Sequence, residues 1–178
     1  HTFKQYDAEL EAVRAKVLEM GGLVEQQIVS ALESLVKSDP KLAESVIAND
    51  HRVNALEVQV DEDCSHIIAR RQPAAGDLRM IMMMVKTITD LERIGDEATK
   101  IARVAQKIYE SDRMYTPRFA EIKTMVGLVR EMLRTALDAF ARLDVSKTVD
   151  VARQDEQVDE YFRATVRQLI TFMLEDPR

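Results

Sequence analysis

Apolar residues recur at steps of three and four along most of the chain. Leu10, Val13, Val17, Met20, Val24, Ile28, Ala31 and Leu35 form one such stripe, which predicts an amphipathic helix over residues 3–37. Gly21 and Gly22 lie inside it, each costing about 1 kcal/mol relative to alanine, so a close helix crossing is expected there rather than a break. Ser38, Asp39 and Pro40 then supply a cap and a first-turn proline for a second helix. Its stripe is Val46, Val53, Leu56, Val60, Cys64 and Ile67, and it ends in the turn over residues 71–77. A third helix, capped by Asp77, runs to residue 110 and is expected to bury Leu78, Ile81, Val85, Ile88, Leu91, Ala98, Ile101, Ala105 and Ile108. The methionine-rich run over residues 80–84 reads as part of that core. Residues 111–117 form a turn, and helices four and five are expected over residues 117–143 and 144–174. No segment alternates apolar and polar residues between turn signals, so the fold class is all-α.

The pattern repeats. At an offset of 105, residues 20–73 fall on residues 125–178 without a gap, pairing Met20 with Met125, Gly22 with Gly127, Asp39 with Asp144, Val46 with Val151 and Asp50 with Asp155. Repeats of this kind fix the architecture before any local detail. They predict a complete three-helix unit over residues 1–112, then the first two helices of a second unit over residues 117–178. The second unit lacks its third helix in this chain, so the chain reads as truncated. Short turns between long helices force antiparallel neighbours, giving bundles roughly 45 to 50 Å long. Helices four and five should expose the stripes Met125, Val129, Leu133, Leu137 and Phe140, and Val151, Val158, Tyr161, Leu169 and Phe172. Apolar area of that extent predicts self-association, most simply as a homodimer.

Charge narrows the function classes. A net charge of −6 leaves no basic stripe to neutralise a phosphate backbone, which argues against nucleic acid. The single cysteine, Cys64, excludes an intrachain disulfide framework and fits a reducing compartment. No apolar run approaches the roughly 20 residues of a membrane span, and Lys4, Asp7 and Glu9 are unlike a signal peptide. A cytoplasmic protein is expected, meeting membranes only through partners. His51 and His66 should face solvent.

Any chemistry rests on carboxylates. Glu92 and Asp96 stand one helical turn apart beside the buried seam, with Gly95 between them and room for a ligand or another backbone. On the second helix Asp50, Asn54, Glu57 and Asp61 form an oxygen-rich row that antiparallel packing could bring against that pair. The repeat keeps the first two positions as Asp155 and Asp159 and replaces the others by Phe162 and Val166. Spacing alone is weak, because about five acidic i,i+4 pairs are expected by chance and five occur. A metal site therefore competes with a plain solvated acidic face. No Gly-rich phosphate loop, nucleophile elbow or Glu-x-x-His pattern is present.

The chain resembles the PhoU family of bacterial phosphate-uptake regulators. The resemblance rests on residues 20–25, on residues 69–73 with Asp77, Leu78 and Arg79, on residues 90–98, on residues 136–142 and on residues 173–178. It implies tandem antiparallel three-helix bundles related by a pseudo-twofold. It also implies metal sites on E(D)-x-x-x-D motifs, holding divalent or ferric ions, with iron, zinc, nickel, magnesium and manganese as candidates. Carried over by position, Glu92 and Asp96 match the first motif and Asp155 with Asp159 the helix-five motif. Asp50 matches too, whereas Asn54 stands where the second acid is expected.

The function the resemblance implies is negative regulation of the phosphate-starvation response. The protein would act without catalysis, as an adaptor between the ATPase of the phosphate ABC transporter and its sensor histidine kinase. The alternative is a metal-handling carboxylate bundle, a store or a hydrolase. Arg71, Asp77 and Arg79 around the second turn, taken as exposed, and Arg142 at the end of helix four are the candidate partner contacts.

Overall fold

The structure is a computed structural model that describes residues 2–110 and 120–175. It consists of α1 (Thr2–Val36), α2 (Pro40–Arg71), α3 (Ala75–Glu110), α4 (Ala120–Arg142) and α5 (Thr148–Glu175), with a single 3-10 turn (Val145–Lys147) ahead of α5. The fold is all-α. The chain divides into two compact units, His1–Arg113 and Met114–Arg178. The expected turn over residues 111–117 lies outside the described residues.

Cross-helix pairs set the directions in the first unit. Arg71 meets Glu9, Lys16 meets Asp63 and Gln27 meets Asp50, so α1 and α2 are antiparallel. Tyr6 meets Asp77 near one end and the Tyr109 hydroxyl reaches the Leu35 carbonyl near the other, so α3 runs parallel to α1 and back along α2. The α1 stripe is buried throughout, from Leu10 to Leu35, as is the α2 stripe from Val46 to Ile67. Side chains such as Met20, Val24 and Ile81 are fully enclosed, and each contributes about 1.5 to 3 kcal/mol relative to exposure. Cys64 is buried within this core, and desolvation followed by the charges of Asp61 and Asp63 pushes its thiol up to about 11. It is an inert packing residue.

Expectations on α3 require correction in three respects, the first being that Val85, Ile101 and Ile108, expected in the core, are only half-buried. The helix begins at Ala75, so Asp77 sits inside the first turn and accepts a hydrogen bond from the Tyr6 hydroxyl at 2.9 Å instead of capping. The methionine run is only partly core: Ile81 and Met84 are fully buried, while Leu78, Met82 and Met83 are exposed by 38%, 49% and 41%. Periodicity explains this, since residues 82 and 83 fall on the opposite side of the helix from the 81, 84, 88, 91 seam.

The 105-residue repeat extends to the backbone. Ser38 and Leu143, which coincide at that offset, both adopt left-handed conformations, with φ of 55° and 53°. Asp39 caps α2 by accepting from the Leu42 amide, as foreseen, and Asp144 accepts from the Ser146 amide. The second cap opens the 3-10 turn, and α5 proper starts at Thr148, four residues later than expected. In the second unit α4 and α5 pack as a hairpin in which Leu133 is the buried apolar residue among those described. The stripes expected to be exposed are instead half-buried where described, apart from buried Leu133, and the exposed large apolar residues of α5 are Val149, Phe162, Ile170 and Leu174. The Leu169 and Phe172 side chains lie outside the described set.

α1 passes through Gly21 and Gly22 without a break. A methyl group on Gly22 or Gly127 would meet nothing within 4 Å, so these two mark no close crossing, whereas Gly21 is buried. A close approach does occur at Gly95.

Candidate functional site

Gly95 is buried on α3 because Gln27 of α1 lies against it. A Cβ there would fall 2.7 Å from Gln27 Oε1 and 3.7 Å from Asp50 Oδ1. Gln27 is 6% exposed, and its Nε2 donates to Asp50 Oδ1 at 2.8 Å. Its Oε1 is buried with no hydrogen-bond partner. A buried amide oxygen left unpaired costs about 1 to 3 kcal/mol, which sets it apart from the other buried polar side chains, Ser34 and Thr99, whose hydroxyls donate to backbone carbonyls. The three helices thus meet at Gln27, Asp50 and Gly95, with Glu92 and Asp96 on the adjoining turn of α3.

The electrostatics of this seam are those of crowded acids. Burial raises the Glu92 carboxyl above the usual carboxylate range, helped by its hydrogen bond with Asp96 and by the charges of Asp96, Glu57 and Asp50. Glu57 is raised as well, by burial and then by Asp61 and Asp96. Like charges one turn apart destabilise a helix, and sharing a proton or attracting a cation relieves the repulsion. Antiparallel packing therefore does bring the α2 row against the α3 pair.

The predicted ligands divide into two groups. Asp50, Glu92 and Asp96 meet at the seam, with Glu57 and Asp61 nearby. Asn54 is exposed, and Asp155 and Asp159 are exposed on α5, where Asp159 lies 4.0 Å from Arg163. Among the described residues no three Asp, Glu, His or Cys side chains converge to hold an ion. Gln27 is the member that the sequence pattern missed. A signal existed: Gln27 occupies an inward position of its stripe, and the repeat places Met132 there.

The candidate partner contacts also separate. Arg71 is not free: its Nε and Nη2 donate to the two Glu9 carboxylate oxygens at 3.1 and 2.7 Å, tying the end of α2 to α1. That contact holds Glu9 below the usual carboxylate range and raises Arg71 further. Asp77 is engaged by Tyr6, whose hydroxyl is pushed up to about 12 by burial and by Asp77 itself. Arg142 donates to Asp138 on its own helix. Arg79 is exposed, and no ion pair or hydrogen bond to it occurs among the described residues.

Fold and site together define a helical-bundle protein whose polar chemistry is an acidic seam between its second and third helices. The PhoU domain family matches residues 17–105 and 122–178, which take in that seam and the α4–α5 hairpin. The chain belongs to the PhoU family. It is 47% identical over 179 aligned positions to the phosphate-specific transport system accessory protein PhoU homolog of Pseudomonas putida, covering 100% of this chain and 69% of that protein. To the PhoU accessory protein of Escherichia coli strain K12 it is 44% identical, covering 100% of this chain and 73% of that one. The crystal structure of PhoU from Pseudomonas aeruginosa superposes with a TM-score of 0.90 at 45% identity, over 97% of this chain and 82% of that chain. These relatives are named as accessory proteins, not enzymes.

Proposed function

We propose that the protein is an accessory regulator of phosphate transport. In this reading it restrains the phosphate-starvation response in the cytoplasm, as a non-catalytic adaptor between the ATPase of a phosphate ABC transporter and a sensor histidine kinase. The observation that supports it is identity of 43% to 47% along the whole chain to accessory proteins of phosphate-specific transport systems. Among the described residues no helix is long and apolar enough to cross a membrane, which suits a protein that reaches the transporter through its soluble subunit.

The test is genetic. In a strain lacking this gene, a phosphate-starvation promoter should fire in phosphate-rich medium, and the full-length gene should silence it again. Both the transporter ATPase and the kinase should co-purify with it. A promoter that stays silent in the deletion strain refutes the regulatory role.

The metal reading concerns the same seam. A closed iron or zinc centre calls for His or Cys donors or several converging acids, and the described donors do not fit one. They fit a hydrated ion of the magnesium or manganese class, which keeps most of its waters and needs one or two carboxylates. Glu92 and Asp96 would hold it, with the charge of Asp50 close by and Gln27 Oε1 a buried acceptor at the same seam. The storage or hydrolase alternative has no specific observation in its favour, since the named relatives are accessory proteins.

A further inference from the structure

The N-terminal part of α3 presents an outer face that combines apolar and basic side chains. From Leu78 to Thr89 the sequence contains no acid and two cations, Arg79 and Lys86, within a protein of net charge −6. The inward positions of the same stretch, Ile81, Met84 and Ile88, are closed into the bundle core, which holds this part of α3 against its neighbours. Turned outward are Leu78, Met82 and Met83, each more than one-third exposed. Arg79 and Lys86 are exposed alongside them, and neither takes part in an ion pair among the described residues. Farther along the helix Arg93 and Lys100 are paired with Asp90 and Glu97, while Arg103 and Lys107 are exposed without an ion pair among the described residues.

We infer that this face docks an acidic amphipathic helix of a partner protein. Leu78, Met82 and Met83 would receive its apolar stripe, and Arg79 and Lys86 its flanking carboxylates. Methionine suits such a surface because its unbranched, polarisable side chain adapts to the partner's shape, and helix-in-groove recognition uses this kind of apolar strip. Charge supplies the selectivity: a stretch without acids in an acidic protein attracts a negative segment and repels a positive one. The inference rests on the adaptor reading and names the surface through which one partner would be held.

Binding of two designed peptides of about 18 residues tests it, both helical with the same leucine stripe, one flanked by glutamates and the other by lysines. Fluorescence anisotropy on the full chain should show the glutamate peptide binding about tenfold more tightly or better. Arg79→Glu/Lys86→Glu should reverse the preference, and Met82→Gln/Met83→Gln should weaken both peptides. All four positions are exposed, so thermal unfolding of the variants should match the parent and confirm that they fold. Equal affinity for both peptides, or a preference that survives charge reversal, overturns the inference. So does binding to phosphatidylglycerol-containing vesicles that is lost in the same variants without any peptide preference, which would make the face a membrane contact. Because the assay uses no promoter, its failure is distinguishable from failure of the regulatory reading, which the deletion strain tests.

Discussion

Gln27 and Asp50 are joined across α1 and α2 by a 2.8 Å hydrogen bond, and the space that permits it is the missing side chain of Gly95. Two glycines in helix interiors therefore have opposite meanings here. Gly22→Ala should stabilise the protein by about 0.5 to 1 kcal/mol, the helix-propensity gain, because nothing lies near its added methyl. Gly95→Ala should forgo that gain, since its methyl displaces Gln27 from Asp50, a bond worth about 1 kcal/mol. Urea unfolding of both variants measures the difference. Equal stabilisation by both would mean that Gln27 moves aside freely.

Metal content should depend on the seam. Protein purified without nickel resin and then equilibrated with manganese should retain the ion, and Glu92→Ala/Asp96→Ala should lose most of it. Elemental analysis after desalting reads the outcome directly. Equal manganese in both proteins would place any ion elsewhere.

Acidity should act on the first unit through Glu92. Its folded-state carboxyl is raised, so in the folded protein it binds more protons than in the unfolded chain at pH values just above the usual carboxylate range. Stability contributed by this group is thus greatest below that range and is lost as pH rises through its raised value. In chelator-containing buffer, Glu92→Gln should raise the melting temperature at pH 7 and flatten its dependence on pH above the usual carboxylate range. Glu9 has the opposite sign: its lowered carboxyl stabilises above the usual range and loses that contribution as pH falls through the depressed value. A melting temperature insensitive to Glu92→Gln at pH 7 would show that the acids do not repel one another.

The two arginines flanking the α2–α3 turn should behave differently. Arg71→Ala removes both hydrogen bonds to Glu9 and should lower the melting temperature measurably. Arg79→Ala, at an exposed and unpaired position, should leave stability within about 0.5 kcal/mol. Circular-dichroism melts of the two variants make the comparison, and equal melts would deny Arg71 its structural role.

Exposed apolar residues on α5 predict self-association of the 178-residue chain. Val149, Phe162, Ile170 and Leu174 are each more than half exposed. At about 25 cal/mol per Å2, covering a few hundred Å2 of such surface is worth several kcal/mol, and a symmetric pair is the simplest closed arrangement. Light scattering should show a dimer or larger species, and Phe162→Ser/Ile170→Ser should dissociate it. A monomer at micromolar concentration before mutation contradicts the expectation.

Periodicity and punctuation carried most of the architecture. The stripes from Leu10 to Leu35 and from Val46 to Ile67 are buried as their spacing requires, because a 3.6-residue helix leaves one face for the core. Asp39 and Pro40 mark the start of α2 because capping is local chemistry between residues three apart. The 105-residue repeat foretold equivalent turns, down to the left-handed Ser38 and Leu143.

Tertiary packing alone decided the rest. Which side of α3 the methionines occupy depends on where α1 and α2 lie, so Met82 and Met83 turn outward although they adjoin core residues in sequence. Asp77 gave up capping for Tyr6, and Arg71 gave up exposure for Glu9, through partners 71 and 62 residues away. Gln27 entered the carboxylate seam for the same reason: its partner is 23 residues distant, and its fit depends on a glycine of a third helix. Local sequence fixes which face a helix buries, whereas the identity of the side chain across the gap is set by how three helices come together.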